Sequence, residues 1–455
     1  MFKHNPLMIS STVVLLIALL AACQPQQSEN VKDNTRVKEL SAGVVKHNSD
    51  LAYAIYSDSL MLAEVLHDDI LLLIDSPSKK TLHNARQSWI AAREPYGQSE
   101  VYRFRGGPID ALKADGSMGE DGEGPEGRIN AWPLGEALID YVATNIDGNA
   151  GPENPANTIQ GNLIANVQDY PQINREVINQ FYEYGEDERN VTTGYHAIEF
   201  LLWGQDVNSD SKGGFSRDST PGQRPYTDYL AIEGQCTSGA IKVDAQICER
   251  RGDYLIAASE MLIDDLAPIV AAWQPQTGEH YKTLVQNPSD SLAGMLESMG
   301  RLSFGELAGE RINISLATDS QEDEHSCFSD NTHRDIFLNA KGIENTYLGT
   351  YQKIDGTMLK GPSIDSLLRE IGQVSLADEL TKRLDSTMQA ASQIDAQAKN
   401  GKPFDVLIQE GVQQSDISAM IERLVKQTDS IEKAIDALAV STQSLRQDTE
   451  QKIGE

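Results

Sequence analysis

Apolar residues recur at helical spacing along most of this chain, while strict alternation of apolar and polar positions is scarce. Residues 51–74 form a long apolar-rich run with 3.6-like spacing. Residues 78–93 follow after Asp75-Ser76-Pro77, a cap and first-turn signal, and the pattern predicts two helices here. The same signature predicts helices over 132–141, 173–184, 196–203, 253–273, 292–316, 375–398 and 416–445. Residues 105–128, 145–161 and 208–224 are crowded with Gly, Pro, Asp, Asn and Ser and read as connections. Within 292–316 the small residues Gly294, Gly300, Gly305, Ala308 and Gly309 predict close helix packing; no strand precedes them, as a phosphate-binding glycine loop would need. The expected fold is all-α, built of antiparallel helices, and the length suits two bundles of similar size.

The amino terminus reads differently. Lys3 and His4 precede an apolar run over 13–20, closed by Leu20-Ala21-Ala22-Cys23. The run is shorter than the roughly 20 residues a membrane span needs, and a small-residue site follows it. Residues 1–22 therefore read as a signal peptide of the lipoprotein type, with Cys23 as the lipidated first residue of the mature chain. Gln24 after that cysteine resembles lipoproteins sorted to the outer membrane, so the expected location is the cell envelope, lipid-anchored and facing the periplasm. Residues 23–40 are polar and read as a flexible tether, leaving 41–250 and 251–455 as two helical domains.

Composition narrows the partners. With 38 Lys and Arg against 68 Asp and Glu, the formal charge of −30 makes nucleic acid an unsuitable partner. In an oxidising periplasm Cys236 and Cys248 are expected to close a short disulfide loop, with Cys327 left as a free thiol or a buried small hydrophobe.

Candidate chemistry centres on GYHAIEFLLWGQD (194–206), which places His196 and Glu199 on one helix face, with Ile198, Leu201 and Leu202 turned to the core. Burying two such polar groups costs free energy unless they are paired. They could grip one cation together, as Glu and His at this spacing do in carboxylate bundles, or hydrogen-bond each other and lock a helix in place. Near the end of the second helix Trp89, Arg93 and Glu100 offer a guanidinium able to orient a carboxylate and an acid able to ligate; a surface salt bridge is the plainer alternative. The segment QEDEHSCFSDNTHRD (321–335) gathers His, Cys and acidic residues that either bind a metal or hold the loop in shape. H-E-x-x-H, H-x-x-E-H and a serine nucleophile elbow are all absent.

Five blocks, in order, resemble the imelysin family, and in particular its iron-regulated, lipid-anchored members. They are G-x-H-x-x-E at Gly194, His196 and Glu199, WIAAREPYGQSEVYRFRGGPID (89–110), INAWPLGEALIDYV (129–142), ERRGDYL (249–255) and EDEHSCFSDNTHRDI (322–336). The resemblance implies two four-helix-bundle-like domains packed with a cleft between them, the motif in that cleft, and a role in periplasmic iron uptake or metal handling. The expected site has His196 and Glu199 as direct ligands and Glu100 as a third, with Arg93, Asp110 and Trp89 orienting them. Iron is the favoured cation, zinc the alternative, and other iron-uptake components the expected partners. The competing readings are a metallopeptidase of the imelysin type and a non-catalytic protein that binds a partner or haem.

Overall fold

A computed structural model describes residues 25–110, 124–142, 162–206, 217–409 and 414–446. Among these the fold is all-α, and the strands form only two small antiparallel hairpins, one pairing Thr237–Ser238 with Ile241–Lys242 and one pairing Thr350–Gln352 with Met358–Lys360. Helix α1 (Pro25–Asp75) is followed by α2 (Lys79–Ser99), whose start is fixed by Ser78: its side chain accepts from the Thr81 amide while the Thr81 hydroxyl oxygen accepts from the Ser78 amide. Short helices α3 (Pro125–Asn130), α4 (Glu136–Ile139) and α5 (Arg175–Gln180) lead to α6 (Gly194–Trp203) and the long α7 (Ala245–Trp273). Then come α8 (Glu279–Gln286), α9 (Pro288–Arg301), a π-helical segment Leu302–Asn313, α10 (Ile314–Thr318), α11 (Thr332–Leu348), α12 (Ile364–Glu370), α13 (Val374–Lys399), α14 (Phe404–Ile408) and α15 (Gln414–Leu438).

Two sets of helices organise the packing. Helix α1 lies against both α2 and α7, and α6 bridges α2 and α7; α11, α13, α15 and the π segment form the second set, and α11 also packs on α2. One continuous apolar core runs through both, from Val44 and Trp89 through Leu201 and Trp273 to Ile343, Leu380 and Leu445. A smaller cluster around Leu307, Ile336, Phe404, Ile417 and Leu424 sits within the second set. The division drawn at residue 250 falls inside the first turns of α7.

Several local expectations need correction. Residues 25–40, read as a tether, are helical and continue into α1; no Gly or Pro interrupts 26–42, so nothing stops the helix there. The single helix expected over 292–316 is three segments, α9, the π-helical stretch and α10. Close packing is nonetheless real at Gly300, where an added Cβ would run into the Leu445 side chain. The stretch 132–141 holds only the single turn α4. Helix α11 went unrecognised because its buried residues include Asp335, Asn339, Asn345 and Thr346, which blur the apolar stripe.

Cys236 and Cys248 are joined, with Cα atoms 5.9 Å apart, and Cys327 is a buried free thiol. No described helix is long and apolar enough to cross a membrane. Residues 1–24, on which the expected signal peptide and the expected lipidation at Cys23 fall, lie outside the described residues.

Candidate functional site

The site is assembled on α6, and α6 begins at a glycine for a steric reason. Gly194 has φ +78°, and a Cβ there would press into the backbone carbonyl oxygens of Arg128 and Ile129. Thr193 donates its hydroxyl to the same Arg128 carbonyl at 2.8 Å, so the end of α3 is pinned on the start of α6. Gly194→Ala is expected to cost at least about 2 kcal/mol, from left-handed strain plus displaced backbone. Urea unfolding measures this, and a loss under about 0.5 kcal/mol, the size of an ordinary surface change, would contradict it.

All ten residues of α6 are buried, so the helix has two interior faces rather than one. On the polar face His196 Nδ1 lies 2.8 Å from Glu199 Oε2. Glu199 Oε1 accepts from the Ser329 amide at 2.9 Å and from the Ser329 hydroxyl at 2.6 Å. His196 Nε2 is buried and has no hydrogen-bond partner. Burial, followed by the nearby His325 and Arg93, holds His196 well below the usual imidazole range. Burial pushes Glu199 up to about 8 despite the Ser329 hydrogen bonds.

Facing this pair is a second histidine. The His325 ring stands edge-on to His196, centroids 4.7 Å apart and planes at 75°. His325 Nδ1 is 2.9 Å from Asp335 Oδ2, and Asp335 Oδ1 receives Arg93 at 2.9 and 3.3 Å. Burial would raise Asp335, but Arg93 and His325 outweigh it and hold the acid well below its ordinary range. The Asn130 amide links the parts, donating to His325 Nε2 at 3.3 Å and to Glu100 Oε1 at 3.1 Å, while its oxygen accepts from Arg93. Glu100 Oε2 is held by Arg311 at 2.8 Å and Arg103 at 3.0 Å, and both guanidiniums also grip Glu306. Burial alone would raise Glu306; the two arginines reverse that and bring it down to about 2.

The structure thus gathers His196, Glu199, Glu100 and Arg93 into one buried region. Trp89 joins it by donating Nε1 to the Tyr195 carbonyl at 2.9 Å, with Arg93 stacked over both rings. Asp110 does something else: its carboxylate accepts from the amides of Phe104, Arg105 and Gly107 and shapes the loop after α2. His325, Asp335, Asn130, Arg311 and Ser329 carry much of the network but were not assigned from sequence. The 321–335 segment contains three of them, His325, Ser329 and Asp335, although its other histidine, His333, turns elsewhere, to the Asp330 carbonyl at 2.8 Å. A cavity of about 350 Å³ lined by Arg103, Glu126, Trp132, Pro133, Glu306 and Asp323 reaches this region, and the Trp132 ring meets His325 edge-on at 4.3 Å. Among the described residues no three His, Cys, Asp or Glu side chains are grouped as a metal ion requires.

The family model for imelysin matches residues 52–431. The chain belongs to the imelysin family. This imelysin-family chain resembles the crystal structure of a putative iron-regulated protein A precursor from Parabacteroides distasonis ATCC 8503. The TM-score is 0.59 at 16% identity, over 88% of this chain and 95% of the other. It also resembles an imelysin-like protein from Psychrobacter arcticus 273-4, with TM-score 0.54 and 16% identity over 89% and 96% of the two chains. At that identity the likeness establishes the shared fold. No curated protein matches the chain.

Proposed function

We propose that this protein binds a metal cation, iron foremost, at His196 and serves metal handling or iron uptake in the cell envelope. The observation that carries the reading is the unpaired, buried Nε2 of His196 beside an Nδ1 engaged by Glu199. A ligating histidine is characteristically held this way, with one nitrogen on a carboxylate and the other presented to the metal. The residues therefore fit a cation at Nε2, and imidazole nitrogen suits iron or zinc. Glu199 acts best as the group that orients the ring. Glu100, its oxygens occupied by Asn130, Arg103 and Arg311, acts best as a counter-charge rather than a third ligand. Iron is favoured over zinc because a similar fold carries the description iron-regulated.

A peptidase would need a carboxylate free to act as base beside the attacking water. Glu199 has both oxygens committed, which favours binding over hydrolysis.

The test is the melting temperature of the full-length protein with and without ferrous iron or zinc. Metal should raise it in the wild type, the rise should vanish in His196→Ala, and Glu199→Gln should weaken affinity about 10- to 100-fold. Equal metal-induced shifts in wild type and His196→Ala would remove the site from this helix. The envelope location rests on Leu20-Ala21-Ala22-Cys23, with lipidated Cys23 holding the protein on the outer membrane, periplasmic side, within reach of other uptake components. Cys23→Ser should shift the protein from the membrane to the soluble fraction; unchanged sedimentation would refute lipidation there.

A further inference from the structure

We propose that His325 is the second imidazole of this site, so that the cation is held by two histidines, each steered by its own carboxylate, and not by His196 with acidic side chains. The inference rests on the cation-binding reading above and names the donor set that reading leaves open.

Three observations carry it. The first is the repeated local design. His196 Nδ1 meets Glu199 at 2.8 Å and His325 Nδ1 meets Asp335 at 2.9 Å, and the two rings contact each other at 4.7 Å between centroids. An ionised carboxylate only accepts, so Asp335 at 2.9 Å, much nearer to His325 Nδ1 than the Arg93 guanidinium at 3.5 Å, favours the proton on Nδ1 and leaves Nε2 with its lone pair. That nitrogen accepts only from the Asn130 amide, at a long 3.3 Å, and the same amide already serves Glu100 Oε1. Releasing it costs little, whereas His196 Nε2 has nothing to release.

The second is that the acids are spoken for. Glu199 binds His196 and Ser329; Glu100 and Glu306 are clamped by Arg103 and Arg311; Asp335 holds Arg93, His325 and the Ser326 hydroxyl. Pulling these oxygens onto a metal would strand a buried guanidinium, a ring nitrogen or, at Glu199 Oε1, the amide and hydroxyl of Ser329, an expensive exchange. Among the groups of this network, the donors available without that cost are the two ring nitrogens.

The third is access. Trp132 touches His325 at 4.3 Å and lines the cavity of about 350 Å³, so the second histidine lies one ring away from a space large enough for a cation carrying water or small ligands of its own. Two imidazoles with the remaining positions filled by the incoming complex define the class: a borderline divalent cation such as ferrous iron, cobalt or zinc, in preference to calcium or magnesium, which demand oxygen.

The experiment is zinc K-edge X-ray absorption on the full-length wild-type protein loaded with zinc ion alone, in which outer-shell scattering counts imidazoles. Two imidazoles are expected. His325→Gln should lower zinc affinity by about 100-fold or more, and Glu100→Gln should leave the imidazole count at two. A tenfold excess of calcium should not displace the zinc. One imidazole, with binding lost in His196→Ala but kept in His325→Gln, would overturn the His325 assignment and leave the cation site standing. No zinc binding at all would overturn both. Should His325→Gln fail to fold, the count on the unaltered protein decides alone.

Discussion

Arg93→Met is expected to destabilise the protein by about 3–5 kcal/mol, the cost of breaking a buried ion pair from one side. Arg93 and Asp335 are each 1% exposed, and their carboxylate–guanidinium contact at 2.9 Å joins α2 to the start of α11. The arginine does more than pair charges. It donates to the Asn130 oxygen and its plane lies over the rings of Tyr195 and Tyr96 at 4.9 and 5.4 Å, so its loss also leaves an acceptor unsatisfied and rings uncovered. Methionine fills part of the volume without meeting any of those needs. Adding Asp335→Asn should recover a substantial part of the loss, because the stranded charge is then gone. Arg93→Lys should recover little, since an ammonium cannot reproduce the planar fork. The unfolding midpoint in urea is the measurement. A loss below about 1 kcal/mol, the range of exposed pairs, would show that water reaches Asp335 and that the network does not tie the two sets of helices together.

The parts of the fold that were legible in sequence are those where packing follows the helical period. Residues 253–273 and 375–398 lie within α7 and α13, whose buried positions Leu255, Ala258, Leu262, Leu266 and Leu380, Leu384, Ala391 recur on one face. Helix α11 was not legible because it buries polar side chains, and these were selected by partners distant in the chain: Asn339 by the Gly97 carbonyl and Arg311, Asn345 by Gln98. The π-helical segment looks from its residues like an ordinary continuation of α9, since a change of hydrogen-bond step leaves no periodic mark over so short a stretch. The same division holds at the site. His196 and Glu199 could be found because three-residue spacing is a local fact. His325 meets them only through tertiary packing that brings α2, α3, α6, the π segment and the loop before α11 to one place, and no local pattern distinguishes a histidine used there from His333, which is not.

Raising the pH from 5 to 8 should lower the melting temperature markedly, against the common expectation that an acidic protein loosens mainly in acid. Asp206, three residues past the end of α6, is pushed up to about 10 by burial and by Asp330 and Asp405. Asp330 is raised to about 8 and Asp405 to about 7, each by burial first and then by acidic neighbours. Burial raises Glu322 to about 7, and Glu324 beside Asp405 and Asp330 goes up as well. The Asp405 carboxylate is buried with no hydrogen-bond partner on either oxygen. Arg217 is close, but it spends its donors on the Asp405 backbone carbonyl at 2.9 Å and on Asp319. A carboxyl whose pKa is higher folded than unfolded binds its proton more tightly in the native state. Its contribution is complete below about 4, where the unfolded chain is also protonated, falls as pH rises above that and the unfolded chain ionises, and is gone once pH has risen through the folded value, here about 7 to 10. Each displaced unit is worth about 1.4 kcal/mol per group, so the cluster together moves stability by several kcal/mol across that window. Glu306, Glu100 and Asp335 work the other way: held below their ordinary range, they stabilise above about 4.5 and lose that contribution as pH falls toward about 2. The two sets place the stability maximum between about pH 4 and 6. Melting curves from pH 3 to 9 on the full-length protein should trace that maximum, and Asp405→Asn, which removes one proton-dependent charge from the cluster, should flatten the alkaline limb while leaving the acid limb unchanged. A profile flat from pH 5 to 8 would mean these carboxylates are ionised and accommodated at neutral pH.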